Sequence, residues 1–167
     1  MSETALAARP PDAINAWRDP DWQRLWLSLR NRPWQSLAVV PAGPGAPLDF
    51  AVRIAVMLSR TGMLHLGSPI QVADATRLPL GHLAAFLKEV ERCARDGDPV
   101  VVALAALSDN PVSLALAQAT DAAVLCVALE HMQYTDASKA VSQVGASRFI
   151  GSVVIDPSGL AALPGAI

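Results

Sequence analysis

The sequence of 167 residues is poor in cysteine and in charge. It holds two cysteines, Cys93 and Cys126, which are too few for a disulfide framework and which both lie in apolar stretches. We therefore expect buried free thiols of a reducing compartment. Charged residues make up 17% of the chain and hydrophobic residues 52%. This balance excludes an intrinsically disordered chain and favours a single core-rich globular domain.

Positive charge and long apolar runs are lacking as well. The formal net charge is −2, so the basic surface that a nucleic-acid backbone requires is not expected. No apolar run reaches the roughly 18 residues that a membrane-spanning helix needs. The first 20 residues contain acidic residues and prolines instead of the apolar block of a signal peptide. We predict a cytoplasmic protein that binds no nucleic acid and does not insert directly into a membrane.

Residues typical of metal and nucleophile sites are sparse. His65, His82 and His131 are far apart, and none has a cysteine or histidine at metal-ligand spacing, so no metal site is predicted. The Gly-x-Ser-x-Gly pattern of a nucleophile elbow does not occur. His131 follows a predicted strand and is interpreted as a loop residue. Asn110 with Pro111 is interpreted as the start of a helix.

What the sequence does contain is an alternation of strand and helix patterns. Apolar runs predict strands at 36–40, 70–73, 99–104, 122–129 and 149–155, with 63–66 as a further candidate. Helices are predicted at 48–60, 79–95, 111–119 and 135–144. We expect Pro47 in the first turn of the helix at 48–60, Gly62 just beyond its end, and Thr135 as the cap of the last helix.

This alternation predicts an α/β fold. Strands that alternate with helices form a mostly parallel sheet, here of five to seven strands, between helices on both faces, in three layers. We expect residues 1–20 to be a mobile arm, residues 21–157 a single domain and residues 158–167 a short C-terminal tail.

A helix with an aromatic face precedes the first strand. In 21-DWQRLWLSLR-30, apolar residues recur at i, i+3, i+4 and i+7, and Asp21 is a candidate cap. All four tryptophans fall within the first 34 residues with arginines between them, and interface cores are enriched in both residue types. We predict a partner-binding surface made by Trp22, Arg24, Trp26 and Arg30. The alternative is that the tryptophans attach this helix to its own domain.

Four segments together resemble one known family. They are 22-WQRLWLSLRNRP-33, 37-LAVVPAGPGAP-47, 109-DNPVSLALAQATDAAVLCVAL-129 and 144-VGASRFIGSVVIDP-157. In order and spacing they are similar to the cytoplasmic kinase domain of bacterial tyrosine kinases. These are P-loop proteins of the MinD/ParA class that work with polysaccharide chain-length regulators. The resemblance implies a P-loop NTPase-like fold over about residues 20–157, and a helix before the first strand that takes part in contacts between subunits.

The phosphate-binding loop departs from the family pattern. In the best alignment the family's Gly-Lys-Ser-Thr falls on Pro47, Leu48, Asp49 and Phe50. The lysine that reaches the phosphates and the hydroxyl that binds Mg²⁺ are therefore replaced, and Pro47 has no N–H to donate. Asp49 would repel a phosphate and is expected to satisfy the helix end by itself. Gly43 and Gly45 remain, which suffices for a tight turn. We predict a degenerate loop that binds no nucleotide or other cofactor.

The acidic metal ligands of the family are missing too. The strand that ends in Ile-Ile-Asp-Thr-Pro-Pro in the family reads 100-VVVALAAL-107 here. The family's Asp-Ala-Asp-x-Arg motif is echoed by 74-DATR-77, in which Asp74 and Thr76 would match the two aspartates. An equally good interpretation of that segment is a turn at a strand end. Without these groups, charge on a transferring phosphoryl group is not stabilised.

These departures favour a non-catalytic protein. The principal hypothesis is a protein-binding regulatory or scaffold subunit, by resemblance in bacterial exopolysaccharide synthesis such as that of cellulose or capsule. Its partner would be a membrane component of that machinery that recruits it to the inner membrane, and self-association as a homodimer is a further expectation. The alternatives are a RecA-like regulator without nucleotide chemistry, such as a cell-division inhibitor, and an unconventional nucleotide-binding ATPase.

Overall fold

The computed structural model of the chain describes residues 18–156, 158, 159 and 163. The helices are α1 (Pro20–Leu29), α2 (Phe50–Leu66), α3 (Leu83–Arg95), α4 (Val112–Ala119) and α5 (Tyr134–Val144). The strands are β1 (Ser36–Pro41), β2 (Gln71–Asp74), β3 (Val100–Ala103), β4 (Ala122–Ala128) and β5 (Phe149–Ile155). Single 3₁₀ turns at Leu80–His82 and Ala146–Arg148 precede α3 and β5.

The strands form one parallel sheet with β1 at its centre. Within the described residues the sheet has five strands in the order β2-β3-β1-β4-β5. Leu37 of β1 is in register with Val101 of β3 on one side and with Ala122 of β4 on the other. Each of the four strand pairs observed in this part of the chain is parallel. The predicted fold class is confirmed, with the smallest of the predicted strand numbers.

Two apolar cores lie on opposite faces of the sheet. Successive side chains of a strand point to opposite faces, so Leu37 and Val39 of β1 pack in the core under α1 and α2. Ala38 and Val40 pack in the core under α3, α4 and α5. The whole of β1 is buried, as its continuous apolar run predicts for a strand covered on both sides. The layers are therefore helix, sheet and helix.

Helix α2 is longer than the sequence predicts. The run at 63–66, a strand candidate, is its last turn, and Gly67 in the left-handed conformation (φ 70°) ends it. A continuous apolar run suggests a buried strand, but Met63, Leu64 and Leu66 are exposed on the last turn of this helix. Gly62, predicted to lie beyond the helix end, is buried within α2.

Two predicted helix starts are also corrected. The side chain of Asp19, and not Asp21, caps α1 by accepting the Asp21 N–H at 2.8 Å, and Pro20 occupies the first turn. Helix α5 begins at Tyr134 after Gln133, so Thr135 lies inside it. Residues 1–17, which hold most of the predicted arm, lie outside the described residues. In the predicted tail, Leu163 is buried in the core beside α2, where its carbonyl accepts a hydrogen bond from Arg53 Nη2 at 2.8 Å.

Within the described residues, no helix reaches the length and apolar character that a bilayer crossing requires.

Candidate functional site

The Gly/Pro-rich loop lies where the sequence predicts, between the carboxyl end of the central strand β1 and helix α2. Ala42 extends the sheet ladder by one bond, since its N–H donates to the Cys126 carbonyl of β4 at 2.8 Å. Pro47 lies before the helix, not in its first turn as predicted, and its carbonyl accepts the Phe50 N–H at 2.9 Å. In open α/β sheets, ligands usually bind at the carboxyl ends of the strands, which is where this loop lies.

The two glycines of the loop are required by packing against the β4–α5 connection and the first turn of α5. A Cβ atom on Gly43 would lie 2.6 Å from the Asp136 Cβ atom, which is too close for any side chain. A Cβ atom on Gly45 would lie 2.5 Å from the His131 carbonyl oxygen, and Gly45 also has a φ of +111°. The glycines therefore let two loops approach each other. Their presence needs no bound phosphate to explain it.

The start of α2 differs in detail from the prediction. Asp49 occupies the N-cap position, but its side chain makes no capping hydrogen bond, so it does not satisfy the helix end as expected. Its backbone φ and ψ of −85° and 3° are not the extended values usual for a capping residue. Leu48, at the position of the family's lysine, is 50% exposed. The carboxylate and the apolar side chain thus stand at the surface of the loop.

The cavity between the loop and the end of β3 is small. Its volume is about 100 Å³, whereas ligand pockets typically measure about 300–1,000 Å³. Beside the loop residues it is lined by Leu104, Ala105 and Ala106 after β3, and by Asp109. None of the described residues that line it carries a hydroxyl group or a positive charge. A phosphate needs cations or N–H donors, whereas the one charged group among these described lining residues is the Asp109 carboxylate, which would suit only a metal ion.

Asp109 lines this cavity, although from the sequence we placed it after a strand and predicted no site there. It lies in the turn after β3, where its N–H donates to the Ala106 carbonyl at 2.9 Å. The neighbouring Asn110 has the structural role that was predicted, because its Oδ1 accepts the Val112 N–H at 3.1 Å and its Nδ2 donates to the Leu78 carbonyl at 3.1 Å. Asp109 is far from β1 in the sequence, so its position beside the loop after β1 is not obvious from local patterns. The signal that could have indicated it is topological, because parallel strands bring their carboxyl ends to the same side of the sheet.

The segment 74-DATR-77 forms a turn that adjoins the loop. Asp74 Oδ1 accepts hydrogen bonds from the Thr76 N–H at 3.0 Å and from its hydroxyl at 2.6 Å. This geometry agrees with the interpretation as a turn at a strand end. The turn and Leu48 with Asp49 line one depression of about 410 Å³, in which Arg77 is the only cation among the described lining residues. The two aligned motifs do converge, but the carboxylates there do not suit a phosphate.

Helix α1 binds its own domain through one of its tryptophans. Trp26 is 1% exposed and meets Trp34 edge to face, with ring centroids 5.8 Å apart. The Arg30 guanidinium lies 5.9 Å from the Trp26 ring and 5.3 Å from the Trp34 ring, within cation–π range. Trp34 Nε1 donates to the Leu29 carbonyl at 3.0 Å. Trp26, predicted to contact a partner, is thus covered by the monomer and unavailable at its surface.

The other predicted partner residues are accessible. Trp22 is half-buried against the core, while Arg24 is exposed and pairs with Asp21 at 3.0 Å. Arg30 is exposed on the side away from the rings it covers. Their role in binding a partner stays a prediction. Trp17 lies outside the described residues.

The remaining chemistry-bearing residues do not converge on a site. His65, His82 and His131 are exposed on three different segments. In the described part of the chain, acidic, histidine and cysteine side chains form no group of three that could hold a metal ion. Cys93 and Cys126 are buried free thiols, as predicted, and burial raises the pKa of the Cys126 thiol, which makes it unreactive.

Comparison with known proteins gives a match of fold. Neither protein-family profiles nor curated proteins match the sequence. Among solved structures, the fold matches the tyrosine kinase domain of BceF with a TM-score of 0.61 and 11% sequence identity. The match covers 89% of this chain and 79% of the BceF chain. The chain therefore has a P-loop NTPase-like α/β fold, and at this identity the likeness is one of fold alone.

Proposed function

We propose that the protein is a non-catalytic relative of the P-loop tyrosine kinases and acts by binding a protein partner. One observation carries this proposal: the glycines of the loop at the end of β1 pack against His131 and Asp136, and the cavity that the loop forms with Asp109 measures about 100 Å³ and has no cation and no hydroxyl among its described lining residues. The cations beside the loop, Arg77 and Lys139, line neighbouring depressions that each also contain a carboxylate, so the described cavities at the loop offer little net positive charge to a transferring phosphoryl group. The fold survives such losses because its two cores need only apolar side chains.

The proposed context is bacterial exopolysaccharide synthesis, of cellulose or capsule, in which the protein serves as a regulatory or scaffold subunit. The resemblance to kinases that work with polysaccharide chain-length regulators supports this context, and the fold match with the BceF kinase domain agrees with it. The partner would be the cytoplasmic part of a membrane component, which would recruit this protein from the cytoplasm. Helix α1, with Trp22, Arg24 and Arg30, is the surface proposed for a partner or for a homodimer.

The proposal is tested by titrating the full chain with a non-hydrolysable ATP analogue and Mg²⁺. We expect no heat of binding and no change in melting temperature, because the loop lacks the groups that hold phosphate. A nucleotide at 100 times its dissociation constant would stabilise the fold by about 2.7 kcal/mol. A P-loop ATPase treated identically is the positive control, and a melting shift of that size in this protein would contradict the proposal.

Restoring the loop alone should not restore activity. We expect the triple variant Pro47→Gly, Leu48→Lys, Asp49→Ser to show no ATP hydrolysis above the wild-type background, because β3 still lacks an acidic residue for the metal. Phosphate release with Mg²⁺ is the measurement. Asp109 is the carboxylate nearest in the fold to that role, so Asp109→Asn in the triple background is the matched control. Hydrolysis by the triple variant that Asp109→Asn abolishes would show that Asp109 supplies the missing ligand.

A further inference from the structure

A groove runs between the first half of α1 and the second half of β5. Its volume is about 440 Å³, and Trp22 and Leu25 of α1 form its apolar wall. Leu129 and Val154 also line the groove and are 45% and 58% exposed, and because Val153 and Ile155 face α1, the Val154 side chain points to the other face of the sheet. The groove shares no lining residue with the cavity at the loop after β1. An exposed apolar groove of this size is typical of a binding site.

The free edge of β5 forms part of this groove. In the described part of the chain, β5 pairs with β4 alone and ends the sheet. Natural proteins protect such edges with charges, proline or very short strands. The opposite edge strand β2 has four residues and ends in Asp74. Strand β5 has seven residues, FIGSVVI, with neither charge nor proline. Its irregular register is confined to Ala123/Val124 of β4, so the half that lines the groove has regular pairing.

The groove is acidic at the end where β5 finishes. Asp19, Asp21 and Asp156 line it, and none of its described lining residues is basic. The Gly159 N–H at 2.7 Å and the Ser158 hydroxyl at 2.8 Å donate to Asp156 Oδ1 and lower the pKa of this carboxyl, so it stays ionised. Arg24 pairs with Asp21, but both side chains are exposed and such pairs are weak. The surface is complementary to positive charge.

We propose that this groove binds an extended segment of a partner protein, which pairs with the free edge of β5 as an additional strand and carries lysine or arginine at the acidic end. Backbone pairing would supply affinity, and a pocket for alternate side chains together with the carboxylates would supply specificity. This inference rests on the proposed function. Cytoplasmic segments of inner-membrane proteins carry an excess of Lys and Arg, so the proposed membrane partner has the required charge.

Charge argues against the other occupants. Residues 1–17 contain Arg9 but also Glu3 and Asp12, and residues 160–167 contain no charged side chain, so neither end of the chain is basic. A second copy paired antiparallel through β5 would place an uncharged strand, FIGSVVI, along the groove, so the carboxylates would gain no opposite charge from that strand. A basic partner segment satisfies both the strand edge and the carboxylates.

The test uses the full chain and a fluorescein-labelled peptide, Lys-Arg-Val-Thr-Val-Thr-Val-Arg-Lys, which has basic ends in either strand direction. We expect saturable binding in fluorescence anisotropy, and at least tenfold weaker binding of the peptide with Glu at every Lys and Arg position. Two further analogues carry N-methyl groups on all valines or on all threonines. Alternate N–H groups of a strand point to opposite edges, so one analogue should lose about tenfold or more in affinity while the other keeps it.

Variants of the protein locate the binding surface. Asp21→Asn with Asp156→Asn should weaken the basic peptide about fivefold, since rim charges contribute modestly. Asp98→Asn, an exposed aspartate in the α3–β3 turn at the other end of the sheet, is the matched control and should change nothing. Equal binding of both N-methylated analogues, or equal binding by the double variant, would overturn the proposal.

Hydrogen exchange and sedimentation of the peptide-free chain address the other occupants. We expect the amides on the free edge of β5 to exchange without protection. We also expect sedimentation to show no dimer paired through this edge. Protection of that edge in the monomer, or a dimer that the peptide dissociates, would assign the groove to this chain itself and overturn a partner site. If the peptide does not bind, the result of the nucleotide titration still stands. If a nucleotide binds, the proposed function is refuted, whereas the evidence for the groove is unchanged.

Discussion

Replacing Trp26 with alanine is expected to lower the free energy of unfolding by about 3–5 kcal/mol, the usual cost of removing a buried tryptophan. The Trp26 ring is almost fully buried between the sheet, Trp34 and the backbone of α2 at Gly62. Its loss would leave a cavity and would also remove one of the two rings under Arg30. Urea unfolding followed by circular dichroism measures the change.

Trp22→Ala is the matched control for this prediction. Trp22 lies one helical turn earlier on the same face of α1 and is only half-buried, so its loss should cost much less stability. If α1 binds a partner or a second copy, Trp22→Ala should weaken that assembly, whereas the folded fraction of Trp26→Ala should assemble normally. An unchanged urea midpoint for Trp26→Ala, combined with loss of assembly, would contradict the assignment of Trp26 to the core.

Replacing Gly62 with alanine is expected to destabilise the protein by about 1–3 kcal/mol, the cost of overpacking. The effect opposes helix propensity, which favours alanine over glycine by about 1 kcal/mol within a helix. The added Cβ atom would collide with Ile70 Cδ1 and lie 2.6 Å from the Trp26 Cη2 atom, and both side chains are buried. Helix α1 would have to move away from α2.

Gly81→Ala provides the control for Gly62→Ala. A Cβ atom at Gly81 would meet no atom within 4 Å, so this variant should stay within about 0.5 kcal/mol of the wild type. Thermal unfolding of both variants and the wild type decides the comparison. Equal stability of the two alanine variants would show that α1 and α2 can separate without cost.

The strands were predictable because buried parallel strands are continuous apolar runs. Strand β5 was predicted at 149–155 and is observed there, and β1 and β3 were each located within one or two residues. The end of α2 was not predictable in the same way. A glycine after an apolar helical pattern usually marks the end of a helix, so Gly62 was predicted to lie beyond α2. The structure shows another reason for this glycine, because Trp26 packs against it and leaves no room for a side chain. Trp26 was assigned to a partner surface for a related reason. Periodicity identifies the apolar face of a helix but does not show which residues cover that face.

The loop was predictable in composition but not in its contacts. The replacement of the family's lysine and hydroxyl by Leu48 and Asp49 is visible in the sequence alone. That Gly43 and Gly45 allow close packing depends on residues about 90 positions later, namely Asp136 in the first turn of α5 and His131 just before that helix. No local pattern reports such a contact, because the parallel topology sets it.

The first helix of this domain is held by its last strand. A Cβ atom on Gly151 of β5 would lie 3.0 Å from Leu29 and 3.7 Å from Leu25, and Arg32 Nη1 donates to the Ser147 carbonyl at 2.6 Å. The central strand β1 can pair only after its neighbours β3 and β4, which come later in the chain, have been synthesised. During synthesis Trp34 and α2 can cover Trp26 early, whereas the side of α1 that carries Leu25 and Leu29 is covered only when β5 has left the ribosome. Folding limited by such distant contacts is slow and leaves apolar surface exposed to aggregation. A chain truncated before β5 would therefore leave the Leu25 and Leu29 side of α1 uncovered.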